Sequence, residues 1–344
     1  MRAATFHEHG GPEVVRVEDV PTPEPGPGKV RIEVRASAMN HLDLWVRRGL
    51  PIDIPLPHIG GSDIAGVVDA VGPGVTGVTP GARVVVNPSV SCGVCESCRA
   101  GEESLCAEYR ILGEHLPGGF AEYVVVPAAN LLELPDGFDW ETAAAAPLAF
   151  LTAWRGLVSR GRLRAGERVL ITGASGGVST AALQIARHIG AEVHAITTAS
   201  NVGRVEALGA RYVWDRERPD HRKQAFEATG REGFALVFDS VGEATWHENI
   251  RALARAGRLV VYGATTGPKA VTDLRHLFWK QIDILGTTMS NRREFETVMA
   301  LVLAGELRPV IDRVFPLTGI ADAHRRLEAG GQFGKVVIRP EPRT

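Results

Sequence analysis

Residues 168–190 read Arg-Val-Leu-Ile-Thr-Gly-Ala-Ser-Gly-Gly-Val-Ser-Thr-Ala-Ala-Leu-Gln-Ile-Ala-Arg-His-Ile-Gly. Val169–Thr172, rich in β-branched residues, runs into a glycine turn at Gly173–Gly177. Val178, Ala182, Ile185 and Ile189 then fall at helical spacing, and Gly190 stands where a helix would stop. This strand–turn–helix order opens a dinucleotide-binding βαβ unit. Small turn residues let the backbone approach a pyrophosphate, and a helix N-terminus offers free N–H groups with partial positive charge. The turn departs from a strict G-x-G-x-x-G: Ala174, Gly176 and Ser179 hold the three glycine places. Ser179 brings a Cβ and a hydroxyl to a spot where helix and strand normally pack closely.

A chain of 344 residues has room for two domains with ample core. Its formal net charge of −2 gives no general attraction to nucleic acid or to an anionic membrane. Met1–Val15 carries His7, Glu8 and His9 where the apolar core of a leader would begin. The longest apolar run, Ala143–Leu151, contains Pro147 and is too short to span a bilayer. These features predict a cytoplasmic protein.

Residues 1–136 read as β-rich, broken often by Pro and Gly. Val30, Ile32, Val34 and Ala36 alternate with charged residues as a half-buried strand does. A short helix is predicted over Asn40–Arg48, closed by Gly49, with further strands at Ile64–Val71, Ala82–Val86 and Ala121–Val126. Asp139 reads as an N-cap to an alanine-rich helix running to about Gly161. Beyond it strands and helices alternate. Strands are predicted at Arg168–Thr172, Glu192–Thr197, Tyr212–Trp214, Ala235–Asp239, Arg258–Gly263 and Ile282–Thr287. That rhythm predicts an α/β fold with a doubly wound parallel sheet. A helix (Asn291–Gly305) and a strand near Lys335–Arg339 return the chain to the first domain.

All four cysteines lie together, as Cys92-x2-Cys95-x2-Cys98-x7-Cys106. Disulfides are disfavoured in a cytosolic chain, and such dense spacing wraps one ion better than it forms two bridges. Four thiolates complete a tetrahedral zinc and leave no open position for chemistry, so the site reads as structural.

With these pieces the chain resembles the medium-chain dehydrogenase/reductase superfamily over essentially its full length. Within it, Gly166-Glu167, Leu170, Ala174–Gly177, Gln184 and Arg187 are similar to the quinone oxidoreductase fingerprint, with Ser179 replacing a glycine. The resemblance implies a GroES-like catalytic domain over 1–147 and 288–344, with a zinc lobe at 90–108, and a Rossmann domain over 148–287. Zinc alcohol dehydrogenases of the superfamily carry a second, catalytic zinc on Cys, His and Cys, with a Glu beside the His. The matching positions here are Asn40, Ser62 and Leu148, with Asp63 at the Glu. Asn40 and Ser62 are poor zinc ligands and Leu148 is none. The catalytic metal site therefore reads as dismantled and the structural one as whole. An alternative is an improvised site from His41, Asp43, His58 and Asp63.

The resemblance also places Thr152 by the nicotinamide, and Val241, Gly263–Ala264 and Met289 flanking the adenosine and nicotinamide. Ser175, Gly176, Gly177 and Val178 line the phosphate turn. Gly334-Lys335 matches a Gly-Lys pair of the superfamily, making Lys335 a candidate phosphate contact or else a solvated surface lysine. No carboxylate ends the second strand of the unit, where Ala195–Asn201 reads Ala-Ile-Thr-Thr-Ala-Ser-Asn. Thr198, Ser200 and Arg204 are suited to a 2′-phosphate, which predicts NADP over NAD. Superfamily members pair a late strand across a two-fold axis. Leu259–Gly263 is the candidate here, implying a homodimer or homotetramer.

Three functions fit. The first is metal-free, NAD(P)H-dependent reduction of a quinone or α,β-unsaturated carbonyl, with Asn40, helped by Ser62 or His41, as donor to the substrate oxygen and Asp43 orienting hydrogen bonds in the cleft. The second is an alcohol dehydrogenase using the improvised zinc. The third is a nucleotide-binding protein with a sensing role.

Overall fold

The computed structural model describes residues 1–341; the expected return of the chain to the first domain extends to 342–344, which lie outside them. The chain forms two compact units, Met1–Leu148 with Ser290–Thr344, and Ala149–Met289.

The first unit is built on a seven-stranded sheet. Its long central strand β1 (Lys29–Ala38) alternates buried and part-exposed residues over its first half, as the charge pattern predicts. It leads into helix α1 (His41–Arg48). Strand β2 (Asp63–Val71) pairs antiparallel with β1, setting Asp63 opposite Ala38. On the other side of β1 the returning strand Lys335–Arg339 sets Val337 opposite Ala38. Three strand ends thus meet at one point, carrying Asn40, Asp63 and Lys335. Beneath them Val30, Ile32, Ile64, Val84, Val86 and Val124 form a buried cluster. Each such side chain contributes about 1.5–3 kcal/mol by leaving water.

The predicted single helix over 139–161 is three pieces. Asp139 does cap it, accepting the Thr142 N–H at 2.8 Å. Trp140–Ala145 is followed by Pro147–Trp154, because Pro147 lacks the N–H needed to continue the ladder. The last turn, Arg155–Arg160, is wound as a π-helix.

The second unit carries a six-stranded sheet in which every pair is parallel. Its elements include β3 (Arg168–Ile171), α2 (Gly177–Ile189), β4 (Glu192–Thr197), α3 (Val202–Ala207), β5 (Tyr212–Asp215), β6 (Phe234–Asp239), β7 (Leu253–Val261), α4 (Leu274–Lys280) and β8 (Asp283–Gly286), with further helices at His221–Ala228 and Glu243–Ala252. The spatial order is β5-β4-β3-β6-β7-β8. The order reverses beside β3, and crevices at such switch points are where doubly wound sheets bind ligands.

This order corrects one expectation. Leu259–Gly263 cannot pair across a two-fold axis, because β7 is flanked by β6 and β8. The sheet's two edges are β5 and β8, and at the β8 edge Ile284 is 40% exposed. Beside it on the chain, α4 and the preceding loop expose Val271, Leu274, Phe278 and Trp279.

Candidate functional site

In the second unit the glycine turn is pinned at the carboxyl ends of the strands. Thr172 N–H donates to Phe238 O at 3.2 Å and Ala174 N–H to Ile196 O at 3.1 Å, tying the turn to strands on both sides. Gly173 turns the chain with φ +57°, a left-handed conformation that glycine adopts freely. A Cβ at Gly176 would meet only one atom, at 3.9 Å, so the space above the turn is open. The N–H groups of Ser175 and Gly176 turn back to Gly173 O at 2.8 and 3.3 Å, which leaves those of Gly177 and Val178, at the start of α2, as the ones that could hold a pyrophosphate.

The departure at Ser179 has a physical account. Its hydroxyl is buried but satisfied, lying 2.9 Å from the Tyr262 hydroxyl and donating to Thr172 O at 3.3 Å. The extra atoms are absorbed by polar bonding across to the segment after β7.

Among the other expected cofactor residues, Val241 and the Gly263–Ala264 segment are drawn together. Thr265 N–H donates to Ser240 O at 3.0 Å and Thr266 N–H to Val241 O at 2.9 Å. Thr152 and Met289 are both buried, the Thr152 hydroxyl 3.9 Å from the Met289 sulfur. Thr198, Ser200 and Asn201 form a small hydrogen-bonded group after β4, with Arg204 exposed on α3.

In the first unit, Asp63 is fully buried. Its Oδ1 accepts the Leu148 N–H at 2.7 Å; its Oδ2 accepts from Asn40 Nδ2 at 3.0 Å and from Lys335 Nζ at 2.8 Å. Lys335 Nζ also donates to Asn40 Oδ1. Lys335 is 3% exposed, which corrects the surface-lysine alternative: the ammonium is locked among buried partners. Asn40 precedes α1, and there Asp43 accepts the Asn40 backbone N–H at 2.7 Å. The second Nδ2 hydrogen of Asn40 has only a long bond, 3.4 Å, to Ala38 O. Ser62 is fully buried, and its hydroxyl is without a hydrogen-bond partner among the described residues.

The improvised metal site does not assemble. Among the described residues, the four cysteines are the one metal-capable cluster found. Asp43 is occupied by the N–H groups of Asn40 and Gly61, and His58 Nε2 lies 3.0 Å from Gly113 O. Burial lowers the pKa of both His41 and His58. The donor set at Asn40, Ser62 and Leu148 therefore does not suit a catalytic zinc. The cysteine lobe does suit a structural zinc. Its four ligand sulfurs lie within 4.8 Å of one another, and the Cys95 N–H points at Cys92 Sγ.

Sequence reasoning missed Glu114, which no local pattern marks. It is 9% exposed, and burial, with Asp43 nearby, raises its pKa from 4.5 to about 7. Burial likewise raises Asp43 from 3.8 to about 6, against the pull of its two backbone N–H bonds. The folded chain then holds more protons than the unfolded chain between these values. The stabilisation is complete below the unfolded pKa values and is lost as pH rises through about 6 and 7. Glu114→Gln should therefore flatten the fall in stability across that window by about 1–3 kcal/mol in denaturant titrations. An unchanged pH profile would show that Glu114 titrates as an ordinary surface acid.

Two family models match separate stretches of the chain. Residues 26–136 match the alcohol dehydrogenase GroES-like domain, and residues 208–338 match the zinc-binding dehydrogenase family. The acryloyl-coenzyme A reductase of Metallosphaera sedula is 33% identical over 341 residues, covering 98% of this chain and 99% of its own. The quinone oxidoreductase of Homo sapiens is 30% identical over 349 residues, covering 98% and 97%. A solved structure described as an NAD-dependent alcohol dehydrogenase superposes with a TM-score of 0.96 at 45% identity, covering 99% of this chain and 100% of that one.

Proposed function

The chain belongs to the medium-chain dehydrogenase/reductase superfamily, and from that premise we propose that it is an NAD(P)H-dependent reductase of α,β-unsaturated carbonyls or quinones that works without a catalytic metal. The observation that carries this reading is the buried Asn40–Asp63–Lys335 group, in which Asn40 stands where the resemblance puts a zinc-binding cysteine and Asp63 where it puts the neighbouring glutamate. When bound, the nicotinamide supplies a hydride to the β-carbon of the enone. The carbonyl oxygen then gains negative charge, and an amide hydrogen of Asn40 stabilises it more in the transition state than in the ground state. Solvent returns a proton to the α-carbon. Acryloyl-coenzyme A reductases and quinone oxidoreductases among the relatives support this substrate class.

The Thr198–Asn201 group and Arg204 favour NADPH, since no carboxylate there repels a 2′-phosphate. The free edge of β8 and the apolar side chains Leu274, Phe278 and Trp279 favour a dimer with a second copy of the chain. Strand pairing across a two-fold axis would satisfy the edge N–H and C=O groups and cover this apolar surface together.

One preparation tests all of this. The expected results are about one zinc per chain, turnover of enones or quinones with NADPH preferred over NADH, and twice the chain mass in light scattering. Arg204→Ala should weaken NADPH binding by about 1–3 kcal/mol and leave NADH nearly unchanged. Two zincs per chain, with alcohol oxidation lost on mild chelation, would overturn the metal-free reading. Preference for NADH would defeat the NADP assignment, and a monomer at micromolar concentration would defeat the dimer.

A further inference from the structure

We propose that Lys335 and Asp63 act together as positioning residues that fix which way the Asn40 amide faces. This rests on the reading of Asn40 as donor to the substrate oxygen and adds what sets its orientation.

The argument is one of donor and acceptor capacity. An asparagine amide presents an oxygen on one side and an NH2 on the other, nearly alike in shape, so only its partners decide which is which. An ammonium can only donate, and an ionised carboxylate can only accept. Lys335 Nζ faces the Asn40 oxygen, and Asp63 Oδ2, 3.0 Å away, faces its nitrogen. Lys335 and Asp63 are themselves joined at 2.8 Å, so the three groups close a ring of hydrogen bonds. A flipped amide would turn an oxygen toward the carboxylate and an NH2 toward the ammonium, two repulsive contacts at once. The orientation is thus held by charge on both sides.

One Nδ2 hydrogen is committed to Asp63. The other has only the 3.4 Å bond to Ala38 O, and this is the hydrogen left for a substrate oxygen. Asp63 is held in turn by the Leu148 N–H at 2.7 Å. The positive charge of Lys335 therefore orients a neutral donor from inside the fold, without touching substrate. This assigns Lys335 a place distinct from a cofactor phosphate contact.

The test uses Lys335→Met and the double variant Lys335→Met/Asp63→Asn in the full-length protein. Lys335→Met should lower kcat about 10–100-fold, the scale of a misplaced catalytic group, with the Kd for NADPH within about threefold of the parent. It should also lower Tm by about 5–10 °C, because Asp63 is left buried without its counter-charge. The double variant, free of both charges, should recover most of the Tm but not kcat, since neither orienting group remains. If Lys335→Met does not fold, the double variant alone decides.

A readout independent of turnover is the Asn40 side-chain amide signal in a 1H–15N spectrum, identified by its absence in Asn40→Ala. It should be slow to exchange in the parent and lose that protection in Lys335→Met. Parental kcat in either variant overturns the proposal, as does an unchanged amide signal. A tenfold or larger rise in NADPH Kd with parental kcat at saturation would make Lys335 a phosphate ligand instead. Failure of the parent to reduce any enone or quinone would sink the proposed function alone, because the amide signal still reads the orientation.

Discussion

Replacing Asn40 with alanine should lower kcat on an enone or quinone by about ten- to a thousandfold while the Kd for NADPH stays nearly constant, the range seen when a preorganised donor to a developing oxyanion is removed. The surrounding contacts allow this change to be read cleanly. Lys335 and Asp63 keep their 2.8 Å bond to each other, so alanine leaves no buried charge unpaired. The start of α1 keeps the bond from the Asn40 N–H to Asp43, which uses backbone and not the Asn40 side chain. A loss confined to helix capping would cost about 1 kcal/mol of stability and barely move turnover. Asn40→Asp sharpens the distinction. It keeps an oxygen for Lys335 but sets a second carboxylate against Asp63 and removes the donor when ionised. Parental turnover by a well-folded Asn40→Asp enzyme would end the donor role.

Cys95→Ser should lower zinc affinity by more than about a hundredfold, beyond what even outer-shell losses cost, and open the lobe to proteolysis. A Zn–S bond of about 2.3 Å implies a sulfur–sulfur spacing of about 3.8 Å in a tetrahedron. The observed spacings of 3.9 Å between Cys92 and Cys98 and 3.5 Å between Cys95 and Cys98 match it. The lobe has little else to hold it. Its helical pieces are Glu96–Arg99 and Glu103–Leu105, four and three residues long, and Val94 and Leu105 are 66% and 67% exposed. With so little apolar burial, order there depends on the metal. Limited proteolysis should cut within 90–108 in the variant and spare it in the parent, with Tm lowered. Dinucleotide binding by the second unit should persist. Equal zinc content and equal protease resistance would refute a structural zinc.

What the sequence determined by itself was whatever is local along the chain. The glycine turn at Gly173–Gly177 and the cysteine spacing from Cys92 to Cys106 are short-range patterns, because a turn and a four-ligand lobe form within a few residues of backbone. The alternation of strands and helices after residue 168 likewise follows from local periodicity and carries the parallel sheet with it. The absence of usable ligands at Asn40, Ser62 and Leu148 was legible too, since residue chemistry alone excludes them. The company Asn40 keeps in the fold was not. Lys335 lies 272 residues from Asp63 and 295 from Asn40, and they meet because two strand registers at Ala38 bring three strand ends to one point. Register is a property of the assembled sheet, so a lysine that looks solvated in sequence can be buried in the fold. The same holds for the exposed sheet edge. Leu259–Gly263 and Asp283–Gly286 both read as short strands, and only the spatial order of the sheet decides which one is left unpaired. Glu114 depends on tertiary structure for another reason: its proton affinity comes from burial and from Asp43, 71 positions earlier, and neither is written in its neighbours along the chain.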